Sequence, residues 1–592
     1  MSANLNYRRF IPLFARGTAC SALILILTGA FSAPSWAATK NSAVTSAPGT
    51  PRTQGGSMGS VQPARSVILQ DLPAATKATK MSAEEGDRRP LDGLTDAEYN
   101  ALKLEAARRA GGDHFGPGLA PSRFAPVDVN YAFLGMDEST GGSDPSDLAL
   151  AVSENFVLEV VNTAIGVYDK RGNLQSGFPK SADAFWGLSG GTYTTDPRAF
   201  YDWVNHRFVI VMLTETSPFS GTNQGALLIA VSQGHDPRLG WWVYSPAFNI
   251  GASGQCPDYP TLGHDSSNWG TGATKGGFYV GINLFGGSGH CSGSSLVSND
   301  MFLIPNDPLY QGAGFSFWDQ TGFSDGPLVD TIQAGNMNDR SDKPSSVIMI
   351  NSFNIEFSGG QCSSGCNGLV VWSASNPFGF LNGGSGPVFS GVNMSTAHNY
   401  YFPPFANEPG CSGCVDTDDV RISAQVKYNA GSLWGSLNTG VPNVAGAHAI
   451  WFEVHPILDL NGNITSAEER QEDCFFCGGQ GASGSSYYAV PQPDPEGNVT
   501  LVYDYSDQND YAGVAYTARR VTYADSNMNG AGFFLEGGSG AASGRWGDYS
   551  ATAPDLTVAQ SPLMWFAGNY AESSGNWGTA IGAVQFTNPF SQ

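Results

Sequence analysis

Charged residues are scarce in this chain of 592 residues, at 14%, against about 25% in typical proteins. Basic residues are the scarcer sign, because 29 Lys and Arg stand against 52 Asp and Glu, for a net charge of −23. A general nucleic-acid binder needs clustered Lys and Arg to displace counterions, so the composition excludes that class. With 41% hydrophobic and 12% aromatic residues, the chain is also not a mostly disordered one.

Long apolar runs are also lacking, apart from one near the N-terminus. This run, residues 19–31, follows Arg8, Arg9 and Arg16 and precedes a small-x-small sequence at residues 35–37. It is shorter than the roughly 20 apolar residues that span a bilayer. We therefore predict a signal peptide over residues 1–37, a secreted (extracellular or periplasmic) protein and no membrane span.

The cysteines indicate an oxidising compartment. One of the nine, Cys20, lies in the predicted signal peptide, and an even number in an exported chain predicts disulfides. The predicted pairs are Cys256–Cys291, Cys362–Cys366, Cys411–Cys414 and Cys474–Cys477. A structural zinc site made from the last two pairs is the alternative, although their separation exceeds the usual spacing of about 15–20 residues.

Composition divides the exported chain into three segments. Residues 38–80 are rich in Ser, Thr, Ala, Pro and Gly, which is typical of a low-complexity spacer. Residues 81–125 form a helical leader, in which Thr95 and Glu98 have the spacing of a capping box. We interpret this leader as a propeptide-like segment or as a tail that packs on the main domain.

Residues 126–592 are predicted to be all-β. Strand-length runs such as Phe156–Val161 and Arg207–Leu213 are separated by turn residues, and the 75 glycines suit tight hairpins. Turns that contain acids, such as Thr195-Asp196-Pro197, recur before strand pairs. A repeated small sheet is the economical solution at this length, so we predict a β-propeller of seven blades, with six or eight left open.

Several stretches resemble a broad group of uncharacterised secreted bacterial β-propeller proteins. They include SDPSDLALAVSENFVLEVVNTAIGVYDKRGN, TTDPRAFYDWVNHRFVIV, DDVRISAQVKYNAGSLWGS and RWGDYSATAPD, and the resemblance covers about residues 140–585. It implies a sialidase-like architecture and carries no catalytic residues. The Asp-box pattern of sialidases, Ser-x-Asp-x-Gly-x-x-Trp, does not occur in this sequence.

Acids that precede predicted strands are the catalytic candidates, because a propeller would gather them at its central funnel. They are Asp144, Asp196, Asp258, Asp419 and Asp548, with Asp147 and Asp418 as further members of the set. Glycoside hydrolysis needs a pair of carboxylates, and crowding raises one pKa enough to make a general acid. The alternative is structural, because Asp before a strand also forms Asx turns.

Aromatic residues and two arginines near these acids are the substrate-binding candidates. They are Tyr201, Tyr259, Arg421, Arg545, Trp546 and Tyr549. Aromatic rings would stack on sugars, and a guanidinium group would bind a uronate or sulfate. Arg–Asp pairs that fix a blade are the alternative. For a lyase, the proton-abstracting base would be His264 or His398, which lie near tyrosines.

Asp459, Asn461 and Asn463 form a possible calcium loop, which makes calcium the one candidate cofactor. The spacing departs from an EF-hand, and a hairpin turn followed by a helix is the alternative. As a whole, the sequence predicts a monomeric hydrolase or lyase that acts on extracellular polysaccharide. The alternatives are a non-catalytic binding or adhesion propeller and, more weakly, a secreted peptidase or its inhibitor.

Overall fold

The computed structural model of this chain describes most of the sequence from residue 50 onwards. The described residues are 50–75, 96–110, 129–141, 145–188, 192–216, 225–250, 255–269, 274–286, 295–337, 339–340, 342–353, 362–475, 484–522, 528, 532–542, 545–558 and 562–586. All of them belong to one unit of the chain, Ser42–Gln592. The predicted signal peptide lies outside them.

Three strands near the start of the described chain pair with strands that come much later. They are β1 (Gly56–Val61), β2 (Arg65–Ile68) and β3 (Val129–Asp137). β1 and β2 fall in the predicted spacer, so the spacer prediction is wrong for these residues. The composition of the segment did not reveal β1 and β2. Strands pair through backbone N–H and C=O groups, and a polar segment carries these groups just as an apolar segment does.

Helices are few and mostly short. The α-helices in the described residues are α1 (Asp96–Arg109), α2 (Glu138–Gly141), α3 (Ala182–Trp186) and α4 (Asn306–Tyr310), and two 3-10 turns cover Leu69–Asp71 and Gly379–Asn382. α1 confirms the helix predicted in the leader. Within the described ranges, no helix has the length and apolarity needed to cross a membrane.

The rest of the chain runs as successive antiparallel meanders, in which most strands pair with the next one along the chain. The first contains β4 (Ala149–Val152), β5 (Phe156–Val161), β6 (Ala164–Asp169) and β7 (Lys180–Ser181). The second contains β8 (Thr192–Asp202), β9 (Arg207–Thr216), β10 (Ala226–Ser232) and β11 (Gly240–Asn249). The third contains β12 (Gln255–Asp258), β13 (Gly263–Asp265), β14 (Gly277–Gly286), β15 (Ser295–Pro305) and β16 (Phe315–Gln320).

Four further meanders follow, with three smaller strands between them. The fourth contains β17 (Gln333–Ala334), β19 (Val347–Ser352), β20 (Cys366–Ser375) and β21 (Val388–Tyr400), and β18 is Asn336–Met337. β22 (Ala406–Glu408) and β23 (Cys411–Val415) form a hairpin, and the fifth meander contains β24 (Lys427–Asn429), β25 (Ser432–Val441), β26 (Val444–Leu458) and β27 (Ile464–Phe475). The sixth contains β28 (Ser485–Pro493), β29 (Val499–Ser506), β30 (Gly513–Arg519) and β31 (Phe533–Glu536), and the seventh β32 (Ala551–Asp555), β33 (Leu563–Ser573) and β34 (Asn576–Gln585).

Pairings between distant strands complete these meanders. β3 pairs with β34, so an N-terminal strand completes the C-terminal meander. β1 and β2 extend the third and second meanders through β16 and β11. β18 pairs in parallel with β13 and β24, which joins the third and fifth meanders into one sheet of eleven strands.

The hydrophobic core lies between neighbouring meanders. In β9, Ile210 and Met212 pack towards the first meander, whereas Val209 and Val211 pack towards the third. Because both faces of such a strand are buried, its sequence is a continuous apolar run. The seventh meander packs in turn against the first, where Trp565 shares a buried cluster with residues of β4 and β5.

Asparagine side chains join one meander to the next. Asn162, which follows β5, donates from Nδ2 to the Pro145 carbonyl in its own meander at 3.1 Å. Its Oδ1 accepts from the backbone N–H of Asp196 in the second meander at 2.8 Å. Asp196 has a φ of 54°, a conformation that is costly for a residue with a side chain. We call this arrangement an asparagine clasp.

The same clasp recurs two more times along the described chain. Asn283 of β14 accepts from the backbone N–H of Thr331 at 2.8 Å, and Asn438 of β25 accepts from that of Tyr488 at 2.8 Å. Both receiving residues are left-handed, with φ of 46° and 51°. Asn438 also donates to the Thr417 carbonyl of its own meander at 2.8 Å. The clasps therefore join the first, third and fifth meanders to those that follow.

The predicted calcium loop is a hairpin turn between β26 and β27. Oδ1 of Asp459 accepts from the backbone N–H groups of Asn461 and Asn463, each at 2.8 Å, and Oδ2 accepts from the Asn463 side chain at 3.2 Å. The same Asp-x-x-Gly-Asn turn occurs at residues 169–173 and 494–498. The pattern is explained by the hairpin, and the predicted helix after it is wrong because β27 follows.

Two of the predicted disulfides are confirmed directly. Cys362–Cys366 and Cys411–Cys414 are bonded, with Cα–Cα distances of 5.1 and 6.0 Å. Cys256 and Cys474 are disulfide-bonded as well, while their predicted partners lie outside the described residues. The zinc alternative is wrong, because bonded cysteines offer no thiolate ligands.

The clasps predict a stability effect that composition does not. Asn162→Ala leaves the buried Asp196 N–H without its acceptor, so we expect a loss of about 1–3 kcal/mol, measured as a lower midpoint in urea unfolding. Asn155→Ala, at an exposed asparagine of the same meander, is the control and should change the midpoint little. Equal effects of the two substitutions would contradict the role of the clasp.

Candidate functional site

Six of the predicted acids meet at the entries to the meanders, and we call them the acidic cluster. Its members are Asp147, Asp196, Asp258, Asp418, Asp419 and Asp548. Each lies at or before the first strand of its meander, so the repeated chain path brings residues from distant positions together. Asp144 lies outside the described residues.

Three of these acids are close enough to share one ligand. Carboxylate oxygens of Asp147, Asp196 and Asp548 lie within 4.8 Å of one another, and all three residues are buried. Oxygens at this spacing suit a hard cation such as calcium. The clasp residue Asn162 donates to Asp147 Oδ2 at 2.8 Å, and the Tyr549 hydroxyl donates to Asp196 Oδ1 at 3.3 Å.

Burial changes the acidity of this group. It raises the pKa of Asp147, and the charge of Arg545 and the hydrogen bond from Asn162 oppose that rise. Burial also raises the pKa of Asp258, to about 6, with Arg421 opposing the change and the charge of Asp548 adding to it. Asp258 is therefore protonated in part near neutral pH.

Two arginines balance part of the negative charge. Arg421 binds Asp419 with two hydrogen bonds, at 2.9 Å from Nε and 2.6 Å from Nη2, and its Nε lies 3.5 Å from Asp418. Arg545 Nη2 lies 2.6 Å from Asp548 Oδ2. For Arg421 the contacts match the structural alternative, an Arg–Asp pair that fixes the meander.

A third arginine, Arg198, was missed by the sequence reasoning. Its guanidinium group stacks 3.6 Å from the ring centre of Tyr549, and its Nε donates to the Pro260 carbonyl at 2.7 Å. The signal for it was present, because Asp196-Pro-Arg198 repeats the Asp-x-Arg spacing of Asp419 and Arg421. Arg198 therefore lies over the ring of Tyr549, just as Arg421 lies over the ring of Tyr259.

The aromatic rings of the cluster that were predicted to stack on sugars do not face solvent. Tyr259, Trp546 and Tyr549 are each no more than 3% exposed. Arg421 lies over the Tyr259 ring at 4.7 Å, and Trp546 Nε1 donates to Asp504 at 2.8 Å. The stacking role predicted for these three rings is therefore not available in this structure. They are buried because they pack between meanders.

Solvent reaches two members of the predicted site. Asp258 and Arg545 are both partly exposed, whereas Asp196, Asp419 and Asp548 are buried. Arg545 keeps its ion pair with Asp548 at the same time. Asp258, whose pKa is raised, and the partly exposed Arg545 therefore lie at one edge of the cluster, beside the buried carboxylate of Asp548.

The remaining candidates lie elsewhere. The Tyr201 hydroxyl donates to Glu154 at 2.7 Å, and the ring lines a cavity with Trp203 at the far end of the first strands. His264 is buried with Nε2 3.1 Å from Asp202, and His398 Nδ1 lies 2.8 Å from Glu472. Neither histidine contacts the acidic cluster, so neither is placed as a lyase base there.

The leader helix α1 docks beside the acidic cluster. The Tyr99 hydroxyl donates to Asp416 Oδ1 at 2.7 Å, and Lys103 Nζ donates to Thr417 Oγ1 at 2.9 Å. Lys103 is 1% exposed and lies near the rings of Phe402 and Phe405. The helix therefore packs on the main domain, which was one of the two interpretations of the leader.

Comparisons with known proteins give remote likenesses only. No protein-family model and no curated protein matches this chain. Among solved structures, an ulvan lyase bound to an oligosaccharide has 12% identity and a TM-score of 0.36, covering 80% of this chain and 96% of that one. An exo-β-1,3-galactanase from Phanerochaete chrysosporium has 11% identity and a TM-score of 0.28, covering 78% and 98%.

A third solved structure has no stated function. It is a protein from Dyadobacter fermentans with 11% identity and a TM-score of 0.30, and the match covers 67% of this chain and 96% of that one. At such TM-scores the likenesses carry no argument about reaction or substrate.

The Arg421 pair allows a direct test. Arg421→Met would leave two buried carboxylates without their cation, so we expect a loss of roughly 3–5 kcal/mol, measured as a lower unfolding midpoint. Arg238→Met removes the more exposed pair with Asp236 and should cost no more than about 1 kcal/mol. Adding Asp419→Asn to Arg421→Met should restore part of the loss, and no restoration would contradict the pairing.

Proposed function

We propose that this chain is an exported, carbohydrate-active β-propeller that cleaves extracellular polysaccharide, with Asp258 as the proton donor. The proposal depends on the acidity and the exposure of Asp258. Asp258 is a partly exposed residue, and burial of its carboxyl group beside Asp548 and two arginines raises its pKa to about 6. A general acid works best when its pKa lies near the working pH.

The neighbouring groups would divide the remaining roles. Asp548, held by Arg545, would act as the second carboxylate, since glycoside hydrolysis uses an acid and a base or nucleophile. Arg545, whose side chain is 13% exposed, would bind a carboxylate or sulfate on the sugar through that exposed part. Arg198, Arg421 and the buried tyrosines would support these groups without touching the substrate.

The architecture that we propose has seven blades. The described residues form seven meanders, each packed on the next, and the seventh packs on the first. β3 would close the ring by completing the last blade with an N-terminal strand. Secretion directed by residues 1–37, a polysaccharide as partner and a monomeric state complete the proposal.

The second candidate is a non-catalytic binding propeller. It is favoured by the burial of the acidic cluster, since five of its six acids are at most 5% exposed. In that case the arginines and acids would serve the fold, and the edge at Asp258 and Arg545 would bind an acidic glycan.

Assays of the purified protein on a panel of polysaccharides would separate the two. We expect new reducing ends or unsaturated uronates, and a rate that falls as the pH rises through about 6, because the acid must be protonated. Asp258→Asn should lower the rate about 10²–10⁴-fold and remove that pH dependence. Absorbance and reducing-end assays are the measurements.

The control for this test is a second acid with similar acidity. Asp300 in β15 also has a pKa raised to about 6 by burial, and its Oδ1 accepts a hydrogen bond from Ser298, which is not a member of the cluster. Asp300→Asn should therefore leave the rate near wild type. Unchanged activity in Asp258→Asn would reject the assignment of the acid, and glycan binding without any product would favour the binding propeller.

A further inference from the structure

A cavity lies near the first strands of several meanders, at the end of these strands opposite the acidic cluster. Its walls come from β4, β8, β18, β24 and β32, and Lys427, Asn336 and Thr552 contribute polar groups to it. Its volume is about 20 Å³, which exceeds the roughly 10–15 Å³ that one water molecule needs. Met337 and Pro554 in its wall are partly exposed, so the cavity lies near the protein surface.

Lys427 is an unusual lysine. It is 2% exposed, and its Nζ donates to the Thr552 carbonyl at 2.9 Å and to Gln425 Oε1 at 3.2 Å. Both acceptors are uncharged, and among the described residues Lys427 forms no ion pair. The charged ammonium form therefore has no counter-ion in contact with it.

The neutral amine of Lys427 can act as a nucleophile. Burial, with the nearby charge of Arg198, lowers the pKa of Lys427 to about 7, so the neutral amine is abundant in mildly alkaline solution. A neutral amine has two N–H groups, and the two acceptors match them. Its lone pair then occupies the remaining tetrahedral direction and is available for reaction.

The surroundings suit a small electrophile that becomes an anion. Thr552 Oγ1 and Asn336 Oδ1 are buried with no hydrogen-bond partner among the described residues. Asn336 pairs in register with Lys427 on the adjacent strand, and rotation of its amide would present an N–H group instead. Leu150 and Val152 line the cavity as well, and such apolar walls admit an uncharged molecule.

We propose that Lys427 is a carboxylation site, at which its amine reacts reversibly with carbon dioxide to form a carbamate. The N–C bond forms as one C–O π pair moves onto oxygen, and the nitrogen loses a proton to solvent. The amine becomes an anion, which Thr552 Oγ1 and the Asn336 amide would bind and the charge of Arg198 would favour. This site is separate from the acidic cluster and independent of the proposed function.

The test uses the whole exported chain equilibrated with ¹³C-bicarbonate in mildly alkaline buffer. We expect one carbamate carbon signal per chain, and trapping with a trialkyloxonium salt should place the resulting ester on the peptide that contains Lys427. Lys427→Met should lose both. Lys180→Met is the matched control, because Lys180 is also buried and donates to a carbonyl, that of Leu72, at 2.8 Å; it should retain both.

A milder variant keeps the test decisive if Lys427→Met does not fold. Thr552→Val removes the hydroxyl and keeps the carbonyl that holds Lys427, so carbamate occupancy at limiting bicarbonate should fall several-fold. The absence of a carbamate signal from the wild-type protein in saturating bicarbonate would overturn the proposal. So would an ester mapped to another lysine, or undiminished occupancy in Thr552→Val.

Discussion

The asparagine clasp is the interaction on which the junctions between meanders depend. The left-handed residue that each clasp holds has a backbone N–H group, and a buried N–H needs an acceptor. The preceding meander supplies that acceptor from Asn162, Asn283 or Asn438. Because Asn162 also binds Asp147, the joint between two meanders and the position of two cluster acids are set by one side chain.

Packing acids at this joint has an electrostatic consequence. Buried carboxylates are stable only when they are paired or hydrogen-bonded, and otherwise their pKa rises. Arg421 binds Asp419 through both of its carboxylate oxygens. Among the described residues, Asp258 accepts no such bidentate bond, and burial raises its pKa. Asp258 is also a partly exposed residue, whereas Asp419 is buried.

The sequence predicted the all-β class, many strands and the gathering of acids, since these follow from local patterns. β5, for example, has the bounds of the predicted run Phe156–Val161. The pairing of β1 with β16 could not be predicted, because residues 56–61 show no apolar alternation. Nor could the burial of Tyr259 and Tyr549, because exposure depends on how Arg198 and Arg421 pack over them.

The first strands of the meanders carry differently charged groups at their two ends, because arginine and lysine respond differently to burial. A guanidinium group keeps its charge at any ordinary pH, so the buried Arg421 needs compensating acceptors, which the Asp419 carboxylate supplies. An ammonium group can lose its proton, so Lys427 can lie six residues further on between a carbonyl and an amide. The acidic cluster thus contains ion-paired arginines, whereas the far cavity holds a lysine whose pKa burial lowers to about 7.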